Sequence, residues 1–186
     1  MTALIHVKID DKTVLDRLQK IASQAGSINQ PLKVIGEMMR GSIVRNFEVG
    51  GRYSEAGSWR GGNRAWQKLD DATLTSRVGG VSKRFTIKGK TRAKAVRQIR
   101  DHKILVDRAI LRNSIHAVTR GNSLYLGTNV PYAAAHNFGI DKIVSSTSSK
   151  GKSFKRRMKL PARPFMVVQD RDITQMLDVL DEHLMK

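Results

Sequence analysis

The sequence predicts an α+β fold in which helices pack on one face of an antiparallel β-sheet. Apolar residues recur every three or four positions over residues 13–25, 31–47 and 170–184, as they do along the buried face of a helix. Between these segments, residues 114–128 alternate apolar and polar side chains on either side of a turn, which is the pattern of a β-hairpin. Helices and hairpins in this order favour α+β packing around one core. We therefore expect a single domain over residues 1–186, with long loops between its elements.

The first 50 residues are predicted to form one strand and two helices. Residues 3–10 alternate as a short strand, and Thr13 is expected to cap the first helix. The second helix begins at Pro31, a residue suited to the first turn. Its apolar stripe consists of Leu32, Ile35, Met39, Ile43 and Phe47. Gly36 and Gly41 lie inside that helix at a cost of roughly 1 kcal/mol each relative to alanine, so we expect a neighbouring element to approach closely there.

The middle of the chain alternates between loops and short elements. Residues 48–64 are rich in glycine and serine and are predicted to form a loop. The segment 79–103 is strongly basic and is interpreted as an insertion, and residues 91–111 are expected to be helical. Residues 113–130 follow as a hairpin whose turn lies at 120–123.

The last third of the chain combines a polar segment, a proline-rich segment and a helix. Residues 141–158 are polar, serine-rich and basic, which is typical of a mobile loop or an extended hairpin. Residues 160–168 are expected to form a strand that Pro161 and Pro164 confine to an edge or a turn. The final helix is expected to be capped near Asp170. Its apolar face consists of Ile173, Met176, Leu177, Leu180 and Leu184.

The composition combines a large positive charge with an absence of cysteine. There are 34 Lys and Arg against 16 Asp and Glu, which gives a net charge of +18 and a pI near 10.7. Such a charge favours nucleic acid, acidic protein surfaces or anionic membranes as partners. The lack of cysteine excludes disulfides, thiolate metal sites and cysteine nucleophiles. Because we find neither a secretory signal pattern nor an apolar run of about 20 residues, we expect a cytoplasmic protein without a membrane partner.

No motif in the sequence predicts an enzyme, a cofactor or a metal site. The five histidines lack the spacing of a helical zinc site, and the GxSxG, GxGxxG and Walker patterns are missing. The Gly-Lys-Thr at residues 89–91 lacks the glycine that a phosphate-binding loop needs upstream, since that position is Arg84. Asp70 and Asp71 are adjacent, so their carboxylates would diverge in a helix or a strand. We therefore expect a protein that is not an enzyme.

The basic segment is the part of the sequence that points most directly to a partner. Its contact candidates are Lys83, Arg84, Lys88, Lys90, Arg92, Lys94, Arg97 and Arg100. They fit three interpretations: a solvated surface, contact with nucleic acid phosphates, or docking on an acidic protein. Phe85 is the one aromatic residue near them, so a base-stacking platform is not favoured. Any contact with DNA is expected to be independent of sequence and sensitive to salt.

Four motifs occur along the chain in a recognisable order. They are AWQKLDDAT at residues 65–73, ILVDRAILRNSI at 104–115, LYLGTNVPYAAAHNFG at 124–139, and LPARPFM at 160–166. Together they resemble the phage virion morphogenesis family, which includes the tail-completion proteins of contractile-tailed phages and the Mu-type G proteins. The resemblance covers most of residues 31–185, and the last two motifs are the specific ones.

This resemblance implies a non-enzymatic virion protein at the neck or tail, made in the host cytoplasm. Family members are expected to form a ring with six subunits. This ring would complete the tail or join it to the head. The implied partners are further copies of the chain, head connector or portal-side proteins, tail tube or sheath proteins, and DNA in the channel by non-specific contact. The alternative is a basic nucleic-acid-binding or assembly factor that is absent from the mature particle.

The chain departs from the family pattern in two ways. The family commonly has a glycine ahead of the second leucine of the 104–115 motif, where this chain has Ala109 and Ile110. The segments 79–103 and 141–158 are also longer than the family pattern leads one to expect.

The stretch NVPYAAAHNFG, residues 129–139, is predicted to be a packing element, not a catalytic site around its histidine. Pro131 is expected to start a short helix whose alanines allow close approach, with Tyr132 and Phe138 as large anchors. His136 is expected to hold a local hydrogen bond. We expect this helix to pack against LPARPFM. The structural or interface candidates of the two motifs are Tyr132, His136, Phe138, Gly139, Pro161, Arg163, Pro164 and Phe165.

Overall fold

The computed structural model describes residues 11–24, 28–147, 151 and 153–184. The helices in this part of the chain are α1 (Lys12–Gln24), α2 (Asn29–Val49), α3 (Asp71–Arg77), α4 (Val81–Arg84), α5 (Ala93–Asp101), α6 (Ile110–Asn113), α7 (Ala133–Phe138) and α8 (Asp170–Leu184). The strands are β1 (His116–Arg120), β2 (Ser123–Gly127), β3 (Ile140–Thr147) and β4 (Ser153–Leu160). The strand predicted at residues 3–10 lies outside the described residues.

The strands form two separate antiparallel hairpins, β1–β2 and β3–β4. The α+β class is confirmed, but the prediction of a single sheet with helices on one face is wrong. The sheet is divided because α7 and a chain reversal at Gly139 separate β2 from β3, so the two hairpins share no edge. Helix α2 is the central element, since it packs against β1–β2 and against α8, which in turn packs against α1.

The apolar stripe predicted for α2 is confirmed, because all five of its residues are buried. The two glycines of α2 differ in their surroundings. A Cβ atom added at Gly36 would lie 3.0 Å from Ala117 Cβ and 3.0 Å from Leu124 Cδ1, so the β1–β2 hairpin approaches the helix closely at this glycine. No atom lies within 4 Å of a Cβ added at Gly41. The expected close approach is therefore confirmed at Gly36 and wrong at Gly41.

Asp11, not Thr13, caps α1. The Asp11 carboxylate accepts hydrogen bonds from the backbone N–H of Thr13 at 3.1 Å and of Val14 at 3.4 Å. The helix begins at Lys12, two residues earlier than a cap at Thr13 would place it. An aspartate just before the first turn satisfies free N–H groups and lies at the positive end of the helix dipole.

Two apolar clusters form the core. One surrounds Phe47, whose ring centroid lies 5.6 Å from that of Trp66 and 5.2 Å from that of Phe165. Trp66 Nε1 donates a hydrogen bond of 2.8 Å to the backbone oxygen of Pro164, which satisfies its buried polar group. The other cluster joins α1, α2 and α8 through residues such as Leu180. Both depend on α2, so this helix connects the two halves of the core.

The helix predicted over residues 91–111 is wrong in its second half. Helix α5 ends at Asp101, and Leu105 and Ala109 have positive φ angles of 60° and 57°. A non-glycine residue in the left-handed region does not continue a right-handed helix. Residues 102–109 are therefore an irregular connection that ends at the short helix α6. The pattern did not reveal this break, because Ala95 and Ile99 are four residues apart and Leu105 and Ala109 are again four residues apart.

Replacing Ala109 with glycine is expected to stabilise the protein by about 0.5–1 kcal/mol. The left-handed backbone at φ 57° costs alanine about 1–2 kcal/mol, whereas glycine adopts it without this strain. Part of the gain is offset because glycine loses more conformational entropy than alanine on folding. Urea unfolding of the wild type and the variant measures the difference. Ala95→Gly, in the helical backbone of α5, is the control and should destabilise by about 1 kcal/mol. A loss of stability in Ala109→Gly would contradict the strain at this residue.

The two segments near the C-terminus differ in backbone structure. Residues 141–147 and 153–158 lie in strands β3 and β4, which agrees with the extended-hairpin alternative. Residues 160–168 run as an extended strap, and the predicted strand is wrong, because the strap's ladder contact is a single parallel bridge between Val168 and Arg60. The loop 48–64 is held by that bridge, since Gly61 N–H donates to the Val168 oxygen at 2.7 Å.

Candidate functional site

The two specific motifs meet where α7 crosses the strap of residues 160–168. The backbone N–H of Arg163 donates to the His136 oxygen at 2.7 Å. Gly139 ends the helix with φ 79° and ψ 170°, and a Cβ atom added there would lie 2.9 Å from both the Ala162 nitrogen and the Leu160 oxygen. The predicted packing of the helix against LPARPFM is therefore confirmed. Glycine is required at the crossing by its backbone angles and by the lack of space.

Asn137 is the residue that fixes α7 to the strap. Its side-chain Oδ1 accepts hydrogen bonds from the backbone N–H of Phe165 at 3.0 Å and of Met166 at 3.1 Å. Asn137 is buried, as is Ala133 one turn earlier, which packs in the same cluster as Phe165. The sequence interpretation missed Asn137. The available signal was a polar residue four positions after Ala133, on the face predicted to be buried.

Tyr132 and Phe138 do not anchor α7 in the core, so that prediction is wrong. They are 45% and 53% exposed. In a helix of six residues, small Ala133 and polar Asn137 occupy the face against the strap. The two aromatic rings are left on the outer side of the motif, where they are available to a partner. The large buried residues at the crossing come from the strap, namely Pro164 and Phe165.

His136 occupies a half-buried position without the hydrogen bond predicted for it. Its Nδ1 atom is buried and has no partner among the described residues. Its ring lies perpendicular to that of Tyr132 at a centroid distance of 5.8 Å. Burial lowers the pKa of His136 below its usual value, and the positive charges of Arg163 and Arg77 lower it further. The imidazole is therefore held in its neutral form.

Protonation of His136 is expected to destabilise the protein as the pH falls. Because the pKa of His136 is lower in the folded protein, the unfolded chain binds the proton more readily. Neutral His136 therefore contributes to the free energy of unfolding above about pH 6.5, and this contribution is lost as the pH falls below that value. Urea unfolding at pH 7.5 and pH 5.5 should show a smaller loss in His136→Gln than in the wild type. The difference should be at most about 1 kcal/mol, since solvent screens a half-buried ring. Equal losses in the two proteins would contradict the shift.

A cleft of about 400 Å³ opens beside this crossing. Its walls come from α3, the irregular residues 105–109, the start of α6, α7 and the start of the strap. The motif residues at its surface are Tyr132, His136, Pro161 and Arg163. Its charged residues are Arg77, Arg108, Lys159, Arg163, Asp70 and Asp107. Four cations against two carboxylates give the cleft a net positive charge, which favours an acidic group as its ligand.

Arg163 is a structural residue of the cleft, because its side chain is buried and its donors are used within the protein. Its Nε donates to the Gln67 oxygen at 3.1 Å and an Nη to the Lys68 oxygen at 3.4 Å. Burial lowers the pKa of Arg163, and Asp70 opposes that effect. Arg163 thus ties the LPARPFM motif to the AWQKLDDAT motif across the cleft.

The basic candidates of residues 79–103 divide into two groups. Arg84 donates to the Asp71 oxygen at 2.7 Å and pairs with the Asp71 carboxylate, Arg92 Nε donates to the oxygens of Ser82 and Phe85, and Arg100 pairs with Asp101. Arg84 and Arg92 therefore help to fold the insertion, and their role as partner contacts stays a prediction. The remaining candidates are exposed and form neither an ion pair nor a side-chain hydrogen bond within the described part of the chain: Lys83, Lys88, Lys90, Lys94 and Arg97.

A second polar group that the sequence did not reveal joins α2 to α8. Buried Asn46 donates from Nδ2 to the Phe165 oxygen at 2.8 Å and accepts from Arg52 Nε at 2.9 Å. Ser42 Oγ donates to the Asp172 carboxylate at 2.6 Å. Because each buried polar atom in this set has a partner, the group is expected to fix the geometry of the helices.

No group of three or more His, Asp or Glu side chains within the described ranges is arranged to hold a metal ion. No helix in those ranges is both long enough and apolar enough to cross a bilayer.

Comparison with known proteins gives two findings. The model of the phage virion morphogenesis family matches residues 9–185 of the chain. The chain is 27% identical over 182 residues to the Mu-like prophage FluMu G protein 2 of Haemophilus influenzae. The aligned region covers 97% of this chain and 96% of that protein. No solved structure matches.

Proposed function

The chain belongs to the phage virion morphogenesis family, and from this premise we propose that it is a structural virion protein of a contractile-tailed phage. In this proposal it assembles as a ring, six-fold by expectation, at the neck, where it completes the tail or joins it to the head. It acts by binding and not by catalysis. The observation that carries the proposal is the match along nearly the whole chain, which includes all four motifs.

The structure supports an assembly role by the way in which it uses the family motifs. Arg163 and Asn137 join three of the four motifs within one subunit, and neither is open to solvent. The exposed residues of the same region, Tyr132 and Phe138, are aromatic. Buried polar groups that fix a scaffold and aromatic groups that face outwards are what a subunit interface requires. A closed ring further requires two different surfaces on each subunit, one for each neighbour.

The five exposed cations of the basic insertion are proposed to face acidic neighbours or the phosphates of DNA in the channel. Strong binding of phosphates everywhere would hinder the passage of DNA, so contacts with acidic tube or connector proteins are favoured. DNA binding through five cations would weaken steeply with salt.

Two observations on particles test the proposal. Mass spectrometry of purified virions should detect the chain in stoichiometric amounts, and electron microscopy of particles made without it should show tailless heads beside free tails. Absence from virions would contradict the structural role and favour the alternative of an assembly factor that does not remain in the particle. Unfilled heads would point instead to DNA packaging.

A further inference from the structure

All four sequence motifs contribute to the cleft beside the crossing of α7 and the strap. AWQKLDDAT supplies residues at the start of α3, and ILVDRAILRNSI supplies the irregular wall and the start of α6. LYLGTNVPYAAAHNFG supplies residues of α7 and its cap, and LPARPFM supplies the start of the strap. Arg77 and Lys159 are the remaining lining residues. The segments by which the chain resembles its family are therefore assembled around this cleft.

The irregular wall of the cleft has a strained backbone at both of its ends. Leu105 and Ala109 line the cleft and adopt left-handed φ angles of 60° and 57°. This conformation costs a residue other than glycine about 1–2 kcal/mol. Residues held in such conformations are concentrated at ligand clamps and other functional sites. A binding role for this wall would explain why the chain retains two of them here.

Two of the four cations in the cleft are not used within the protein. Arg77 lies 3.9 Å from the Asp107 carboxylate, and Arg163 donates to the two backbone oxygens described above. Arg108 and Lys159, in contrast, are exposed and form neither an ion pair nor a side-chain hydrogen bond within the described part of the chain. These two cations are therefore available to a ligand.

The carboxylates nearest in the fold do not neutralise these two cations, because they already have partners. Asp141 lies opposite Lys159 in the strand pairing, but both of its oxygens accept from Arg157 at 2.7 Å. Asp70 accepts from the backbone N–H of Thr73 at 2.7 Å and caps α3. The negative charge that would pair with the two cations must therefore come from another molecule.

The cleft also presents apolar side chains to solvent. Ile110 and Tyr132 line it and are 53% and 45% exposed, and Leu69, Leu160 and Pro161 are half-buried on its surface. Its volume of about 400 Å³ lies within the range of about 300–1,000 Å³ that is usual for ligand sites. Such sites combine apolar walls with a few polar groups that orient the ligand. The ligand that fits this cleft has an apolar part and negative charge beside it.

We propose that the cleft binds a peptide segment of another virion protein in which acidic residues flank an apolar side chain. The apolar side chain packs against Ile110 and Tyr132, and the carboxylates pair with Arg108 and Lys159. A free anion would leave the apolar walls uncovered, so a peptide is favoured. A second copy of the chain is disfavoured, because copies with a net charge of +18 repel each other at a positive cleft. That the partner belongs to the virion rests on the proposed function.

A synthetic peptide, Ser-Gly-Glu-Leu-Asp-Gly-Ser, tests the cleft on the purified full chain. Titration at low salt, followed by NMR of the methyl groups, should give saturable shifts at Leu69, Ile110 and Leu160. Arg108→Glu/Lys159→Glu should weaken binding about tenfold or more, because it places like charges opposite each other. Ile110→Ser should weaken it about threefold or more by removing apolar contact. Both variants change exposed side chains, and thermal unfolding by circular dichroism confirms that they are folded.

Matched controls separate the cleft from general electrostatic attraction. Lys88→Glu/Lys90→Glu changes the net charge as much, at exposed residues of the basic insertion, and should leave peptide binding unchanged. A peptide with serine in place of leucine should bind at least threefold more weakly. An equal loss in the Lys88→Glu/Lys90→Glu control, or shifts centred on the basic insertion, would overturn the cleft as the site. Equal binding of the serine peptide or of inorganic phosphate would reduce the cleft to an anion site and overturn the proposal.

The contact and the proposed function fail in different ways. A chain that is present in virions but does not bind the peptide at millimolar concentration would overturn the cleft as a docking site. A chain that binds the peptide in the cleft but is absent from virions would support the chemistry of the site and overturn the virion partner. Self-association of the wild type that is lost in Arg108→Glu/Lys159→Glu would make a second copy the occupant and overturn the assignment to another protein.

Discussion

Replacing Gly139 with alanine is expected to destabilise the protein by about 3–5 kcal/mol. The glycine has φ 79° and ψ 170°, a combination that costs other residues about 1–3 kcal/mol. The added methyl group would also lie 2.9 Å from backbone atoms of Ala162 and Leu160, which cannot move without shifting the strap. Urea unfolding measures the loss, and particle assembly should fail at temperatures where the variant is unfolded.

Gly89→Ala separates backbone strain from the close contact with the strap as causes of the loss in Gly139→Ala. Gly89 has a similar φ of 74°, but no atom lies within 4 Å of an added Cβ. We expect this control to lose about 1 kcal/mol, from backbone strain alone. If Gly139→Ala lost no more than Gly89→Ala, the crossing of α7 and the strap would not be as close as the structure shows.

Replacing Asn137 with leucine is expected to cost about 3–5 kcal/mol. Leucine has nearly the same shape, but it leaves the N–H groups of Phe165 and Met166 buried without an acceptor. Each unsatisfied group costs about 1–3 kcal/mol. Urea unfolding again gives the magnitude. Amide hydrogen exchange at Phe165 and Met166 should also accelerate relative to the rest of the core, because the two hydrogen bonds that protect them are lost.

Asn129→Leu is the matched control, since it makes the same substitution at an exposed asparagine eight residues earlier. It should change stability by no more than about 0.5 kcal/mol. Asn137→Asp keeps an acceptor for both N–H groups at the cost of burying a charge, so its exchange at Phe165 and Met166 should remain slow relative to Asn137→Leu. Similar losses in Asn137→Leu and Asn129→Leu would show that the asparagine does not fix the motif.

The long helices were predictable because their evidence is local. The five-residue stripe of α2 and the apolar face of α8 repeat at the helical period. A helix that buries one face shows this period in its own sequence. The β1–β2 hairpin was predictable for the same reason, since its alternation and its Gly121 turn lie within twelve residues. Each of these predictions needed only neighbours along the chain.

The candidate site was only partly predictable, because the role of each motif residue depends on a distant segment. The large aromatic side chains at either end of the three alanines suggested that Tyr132 and Phe138 were anchors. The strap fills the core with Pro164 and Phe165 instead. Arg84 carries the same charge as Lys83 in the sequence, but Asp71 binds it within the fold. Composition identifies a cation; only its surroundings show whether it is free to bind a partner.

The sequence by itself determined the α+β class, the family and the elements whose periodicity is local. The tertiary structure decided which residues of the motifs are buried, where the sheet divides, and which charges remain on the surface. The physical reason is that hydrogen bonds such as those of Asn137 to Phe165 and of Arg163 to Gln67 join residues 28 and 96 positions apart. Local propensity carries no information about such pairs, whereas the close packing that creates them exists only after the chain has folded.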